Sequence, residues 1–163
     1  MFEFIKKFFG SSKRAAVVAL DDADFGRLTF FEGPPGASTG IWQTNESLDL
    51  PEVFAKFGSS SIPGTAAGPF PESRAFLLEK RASLLALWEQ ASPHLEKMRQ
   101  TWRADTGARE LKEVFVLSDV ALDEPITGSS PNWEVSFETR EGLWICVHLQ
   151  FKGSLFVGAS CDT

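Results

Sequence analysis

The sequence predicts an α+β fold, a mostly antiparallel sheet covered by one long kinked helix. Three observations carry this. Residues 133–161 alternate apolar and polar side chains through three short runs, which is the period of strands with two different faces. Residues 71–102 carry a continuous apolar stripe at helical spacing. The order is strands, then helix, then strands, which segregates helix and sheet into two layers.

The C-terminal runs WEVSFET (133–139), WICVHLQF (144–151) and SLFVGASC (154–161) form a three-stranded meander. Arg140-Glu141-Gly142 and Phe151-Lys152-Gly153 each suit a three-residue hairpin loop whose last position is left-handed, a conformation Gly adopts without a Cβ clash. That choice places Phe137 opposite Ile145, Val135 opposite Val147 and Trp133 opposite Leu149. On the other side, Leu149 faces Leu155, Val147 faces Val157 and Ile145 faces Ala159. One face is then wholly apolar. The other is mixed, with Glu134, Ser136, Glu138, Trp144, Cys146, His148, Gln150, Phe156, Gly158 and Ser160, and it sets Glu134, His148 and Phe156 in one row. A slip of one residue would exchange the faces.

The chain of 163 residues suits one domain, with residues 1–24 as an amphipathic helix and connecting segment and 25–163 as the α+β body. Net charge is −6; Lys6, Lys7, Lys13 and Arg14 against Glu3 make the first fourteen residues +3, so the remainder carries −9. An acidic body disfavours nucleic acid, whose phosphates need a basic footprint. Two Cys without a secretory signal suit a reducing cytoplasm, and Cys146 and Cys161 fall on opposite faces of the meander. No apolar run reaches transmembrane length.

In chain order, Phe2, Ile5, Phe8 and Phe9 share one face of a short helix that Gly10-Ser11-Ser12 stops. Its few cations favour docking on the domain over the alternative, an interfacial membrane helix. AAVVAL (15–20) is either a strand or a helical continuation, and Asp21-Asp22-Ala23-Asp24 is a solvated acidic turn lacking the other ligands of a calcium loop. Residues 25–32 form a strand, Gly33-Pro34-Pro35-Gly36 a loop, and residues 40–44 a returning strand. Residues 47–57 are ambiguous because Pro51 interrupts them, and the Ser/Gly/Pro-rich stretch 59–69 is expected to be loop. The stripe Leu77, Leu84, Trp88, Ala91, Leu95, Met98, Trp102 keeps its phase across Pro93, which favours a kink there over a restart capped by Ser92; Asp105-Thr106-Gly107 ends the helical region. Residues 111–122 resume a strand pattern, with a bulge or bend around Ser118-Asp119.

Phe25-Gly26-Arg27-Leu28 at a strand start, Trp42, Gly68-Pro69 ahead of the helix and the Trp-led strands at 133 and 144 resemble small uncharacterised bacterial α+β domain families. Some of these occur beside secreted toxins as immunity-like proteins. The resemblance is one of architecture; it implies an interaction protein and supplies no catalytic residue.

Three arrangements of chemistry deserve weighing. Cys146, His148 and Glu134 could form a thiol site, but a flat strand interior offers neither an oxyanion donor nor a means to stabilise thiolate. His94 and His148, the two histidines, lie on different layers, which disfavours a metal centre. Trp144 and Phe156 among Glu134, Glu138 and His148 have the make-up of a protein interface, aromatic anchors in a polar surround. The expectation is therefore a cytoplasmic, non-catalytic module with no cofactor and no metal, binding another protein, in the immunity-like case a toxin. The alternative is a small-molecule-binding protein or hydrolase with a pocket between helix and sheet.

Overall fold

The computed structural model describes residues 18–44, 59–102, 110–142 and 144–163. The helix expected around Phe2, Ile5, Phe8 and Phe9, the ambiguous stretch 47–57 and the helix end at Asp105-Thr106-Gly107 lie outside the described residues.

Nine strands form one sheet: β1 (Val18–Asp22), β2 (Gly26–Glu32), β3 (Gly40–Thr44), β4 (Ser59–Thr65), β5 (Gly68–Pro69), β6 (Phe115–Leu122), β7 (Asn132–Thr139), β8 (Cys146–Lys152) and β9 (Leu155–Asp162). Their order is β1-β2-β3-β4-β6-β7-β8-β9, with β5 hairpinned onto β4. All pairings are antiparallel except β4 with β6. The fold class stands, and the sheet is wider than the five to seven strands its patterning suggests. Residues 25–32 and 40–44 pair as expected, and the bulge expected in 111–122 lies between Leu117 and Asp119. Leu111–Val114, ahead of it, is a single helical turn (α3) with a capping box between Glu110 and Glu113.

The acidic turn is not simply solvated. Arg74 clamps Asp22 at 2.8 Å and also pairs with Asp24, while the guanidinium of Arg81 donates to the Asp24 carbonyl. Both arginines lie against the ring of the fully buried Phe25. The hairpin that ends β1 is thus tied to a helix.

The expected loop at 59–69 is instead β4 and β5. Small residues are what the sheet needs here. A Cβ on Gly64 would fall 2.5 Å from the Gly68 carbonyl oxygen and 2.7 Å from Trp42. Trp42 is buried over this strand and its indole N–H donates to the Thr65 carbonyl at 2.8 Å. Pro63 lies beyond the short parallel contact with β6, which involves only Ser59, Ser60 and Ser61, so its missing N–H removes no bond to that neighbour.

The helical region divides at Ser83: helix α1 spans Pro71–Ala82 and α2 spans Leu84–Trp102, which continues through Pro93 with no restart at Ser92. At the junction the Ser83 hydroxyl donates to the carbonyls of Glu79 and Lys80, satisfying backbone acceptors that the interrupted helix leaves over. Ser92 is no cap; its hydroxyl donates to the Trp88 carbonyl inside the helix. Leu77, Leu84, Leu87, Ala91 and Leu95 are buried in one core with Phe30, Trp42, Leu117, Val135, Phe137, Val147 and Leu149. Trp88 meets Phe137 edge-on at 5.6 Å, and Phe76 meets Trp133 at 5.7 Å. Trp102, expected in the stripe, is 43% exposed.

Strands β7 and β8 of the meander keep their predicted apolar face but in a different register; β9 does not. Phe137 lies opposite Val147, Val135 opposite Leu149 and Trp133 opposite Phe151, a shift of two residues that leaves the face unchanged. The β7–β8 connection is longer than three residues: Thr139 N–H donates to the Ile145 carbonyl and Ile145 N–H to the Thr139 hydroxyl. The second hairpin is tighter than expected. Gly153 and Ser154 alone make the turn, Phe151 faces Phe156, and Val157 is an extra residue before Gly158 faces Gln150. Gly142 and Gly153 are both left-handed, with φ of 81° and 59°.

Candidate functional site

On the face of the sheet opposite the α1/α2 core, polar side chains from five adjacent strands meet. The rows across β7, β8 and β9 are Glu134–Gln150–Gly158, Ser136–His148–Ser160 and Glu138–Cys146–Asp162. Asp119 of β6 lies opposite Ser136, and Ser59 of β4 runs beside Asp119. The alternation of each strand delivers these groups to one side, and the bulge after Leu117 sets Asp119 among them.

The cluster is closed and internally bonded. Glu134, Ser136 and His148 are only 8%, 7% and 4% exposed. The Ser136 hydroxyl donates to Glu134 Oε1 at 3.0 Å, and His148 Nδ1 lies 2.9 Å from that hydroxyl and 3.1 Å from the same Glu134 oxygen. Asp162 Oδ2 is 3.9 Å from His148 Nε2. The hydroxyls of Ser59 and Ser61 donate to the two oxygens of Asp119 at 2.8 and 3.2 Å. Carboxylates without partners are costly to bury; the centre of the mixed face is buried because these acids have partners.

Electrostatics separates the members. Asp119 is partly exposed as a residue, but desolvation of its carboxyl pushes it up to about 6, with the nearby Glu134 charge adding to the effect and the two serines opposing it. Burial pushes the Cys146 thiol up to about 12, and the Glu138 carboxylate reinforces this. Cys146 Sγ does lie 3.8 Å from His148 Nδ1, so the sheet brings the suspected Cys/His/acid set together. Its electrostatics are those of an inert thiol: at neutral pH a group titrating that high is thiolate to roughly one part in 10⁵. Both cysteines are free.

The expected interface residues separate. Glu134 and His148 are inside the closed cluster, and Glu138 is half-buried at its margin. Phe156 is corrected to the other face: the two-residue turn puts it opposite Phe151, where it packs on the core and lies 4.3 Å from the His94 ring. Leu155 and Val157, expected in the core, are 66% and 55% exposed for the same reason. Trp144 stands just before β8 and is 49% exposed. His94 and His148 lie on opposite sides of the sheet, as their layers suggested. Asp119 was missed as a member of the site; an acid at the bulge of an otherwise apolar strand was the available signal.

No described helix is long and apolar enough to cross a membrane. No family model, curated protein or solved structure matches the chain.

Proposed function

We propose that the protein is a non-catalytic interaction module that binds another protein through the rim of the β7–β8 connection, with Trp144 as its anchor. The single observation that carries this is the placing of Trp144: a large indole, half-exposed, outside either strand, in the same β7–β8 connection as the exposed Glu141. An aromatic anchor with a polar surround is how interfaces concentrate binding energy. The polar cluster serves to hold β4, β6, β7 and β8 in register, and the upward push of burial on its Cys146 thiol speaks against the hydrolase alternative.

The net charge of −6 gives the partner its character. A basic surface, such as the substrate channel of a toxin acting on nucleic acid, would associate fastest with this chain and fits the immunity-like resemblance. The test is capture from native lysate on immobilised wild-type and Trp144→Ala protein, eluted by a salt gradient. The reading expects a protein retained by wild type, released by salt and lost from the variant. Equal retention by both would refute it.

A further inference from the structure

We propose that β9 is a self-association edge, through which two copies pair antiparallel into one continuous sheet. Among the described residues β9 pairs on one side only, with β8, so its other side presents backbone donors and acceptors. Edges of this kind are ordinarily blunted by lysines, prolines, bulges or brevity. β9 is eight residues long, and Leu155 to Cys161 contains no charged residue and no proline. Its one blunting feature is the single bulge residue Val157, and the chain on both sides of it is strand, leaving Gly158 to Asp162 as a regular run. The opposite edge is different: β1 has five residues, includes Asp21 and Asp22, and has Asp22 tied down by Arg74.

A second copy is the occupant that the charges favour. Lys152 and Asp162 flank the edge at opposite ends and belong to the same face, in register with Asn132 and Cys146 respectively. Full antiparallel overlap of two β9 strands centres on Gly158 or Ala159, and it sets Asp162 of one copy near Ser154 to Phe156 of the other. Lys152, which pairs with Leu155, is then one strand further in, about 10 Å away between Cα atoms, a gap the two side chains span. Parallel pairing would instead set Asp162 against Asp162. The exposed Leu155 and Val157 come to lie against the partner strand, and a two-fold axis closes the assembly at two copies. The inference does not depend on the role given to Trp144.

The experiment is sedimentation velocity on the full chain over a concentration series, with hydrogen exchange of the β9 amides at the two extremes. Wild type is expected to dimerise, with residues 156–161 protected more at high concentration than at low. Val157→Lys sets a cation into each copy's edge and should raise the dimer dissociation constant at least about tenfold, equivalent to about 1.4 kcal/mol. Val157 is more than half exposed, so the dilute variant should melt as wild type does. Lys152→Glu, away from the edge backbone, should weaken the dimer in low salt and lose its effect in high salt. A wild type that stays monomeric throughout, a dimer indifferent to Val157→Lys, or a dimer whose β9 amides gain no protection would each overturn the proposal.

Discussion

Replacing Asp119 by Asn should stabilise the protein at neutral pH, and only there. The Asp119 carboxyl is raised from 3.8 to about 6 because ionising it requires charge in a desolvated site near Glu134. Below its ordinary value the group is protonated both folded and unfolded, and no penalty exists. Above about 6 it is ionised in both states, and the folded state bears the full cost. Stability from this group therefore falls as pH rises from about 4 to about 6. A shift of about two units corresponds to at most about 3 kcal/mol. Asn keeps an acceptor for one serine and offers its amide N–H to the other, but it gives up two bonds to a charged acceptor. The expected net gain at pH 7.5 is about 1–2 kcal/mol, shrinking to zero or reversing by pH 4. Urea unfolding of both proteins from pH 4 to 8 measures this. A difference that does not change with pH, or a variant less stable at pH 7.5, would refute the argument that desolvation dominates at Asp119.

Asp22 has the opposite sign: Arg74 holds its carboxyl down at about 2, so it stabilises above about 4 and that contribution is lost as pH falls towards 2. Arg74→Ala should cost about 1–2 kcal/mol at neutral pH, after discounting for the 29% exposure of Arg74, with the gap from wild type closing in acid. Gly153→Val should lower the melting temperature by roughly 5 °C, because φ is 59° and the new Cβ would sit 3.3 Å from Ser130 Oγ. An unchanged midpoint would contradict the left-handed conformation of Gly153. Replacing Cys146 and Cys161 together by Ala should cost only about 1 kcal/mol and leave partner capture intact; lost capture with the fold preserved would return the thiol to a functional role.

What was legible in the sequence was whatever depended on local period. Residues 25–32 and 40–44 show their strands, 111–122 shows its strand but not the helical turn at Leu111–Val114, and the alternation in 133–152 separates the core face from the polar one. What was illegible depended on distant partners. Residues 59–69 have the composition of a loop, and only Trp42 packed on Gly64 and Asp119 receiving Ser59 and Ser61 make them strand. The register of the last hairpin was hidden because a left-handed Gly153 suits two-residue and three-residue turns alike. That ambiguity moved Phe156 into the core and Leu155 out of it. Ser83 was hidden for another reason: the apolar stripe holds its phase across the break, so periodicity could not reveal it. The polar cluster was half legible. Glu134, Cys146 and His148 share a face by alternation, whereas their burial requires Asp119, Ser136 and neighbouring strands to meet their hydrogen-bonding needs.

The most direct test of the central claim compares Trp144→Ala with Trp88→Ala for both stability and affinity towards the captured partner. Trp88, partly buried, packs on the core against Phe137, and its truncation should cost about 3 kcal/mol of unfolding free energy. Trp144, half in solvent, should cost far less than that while weakening partner binding by about 2 kcal/mol, roughly thirtyfold. If Trp144→Ala binds the partner as wild type does, or unfolds as readily as Trp88→Ala, then Trp144 is not the anchor of an interface.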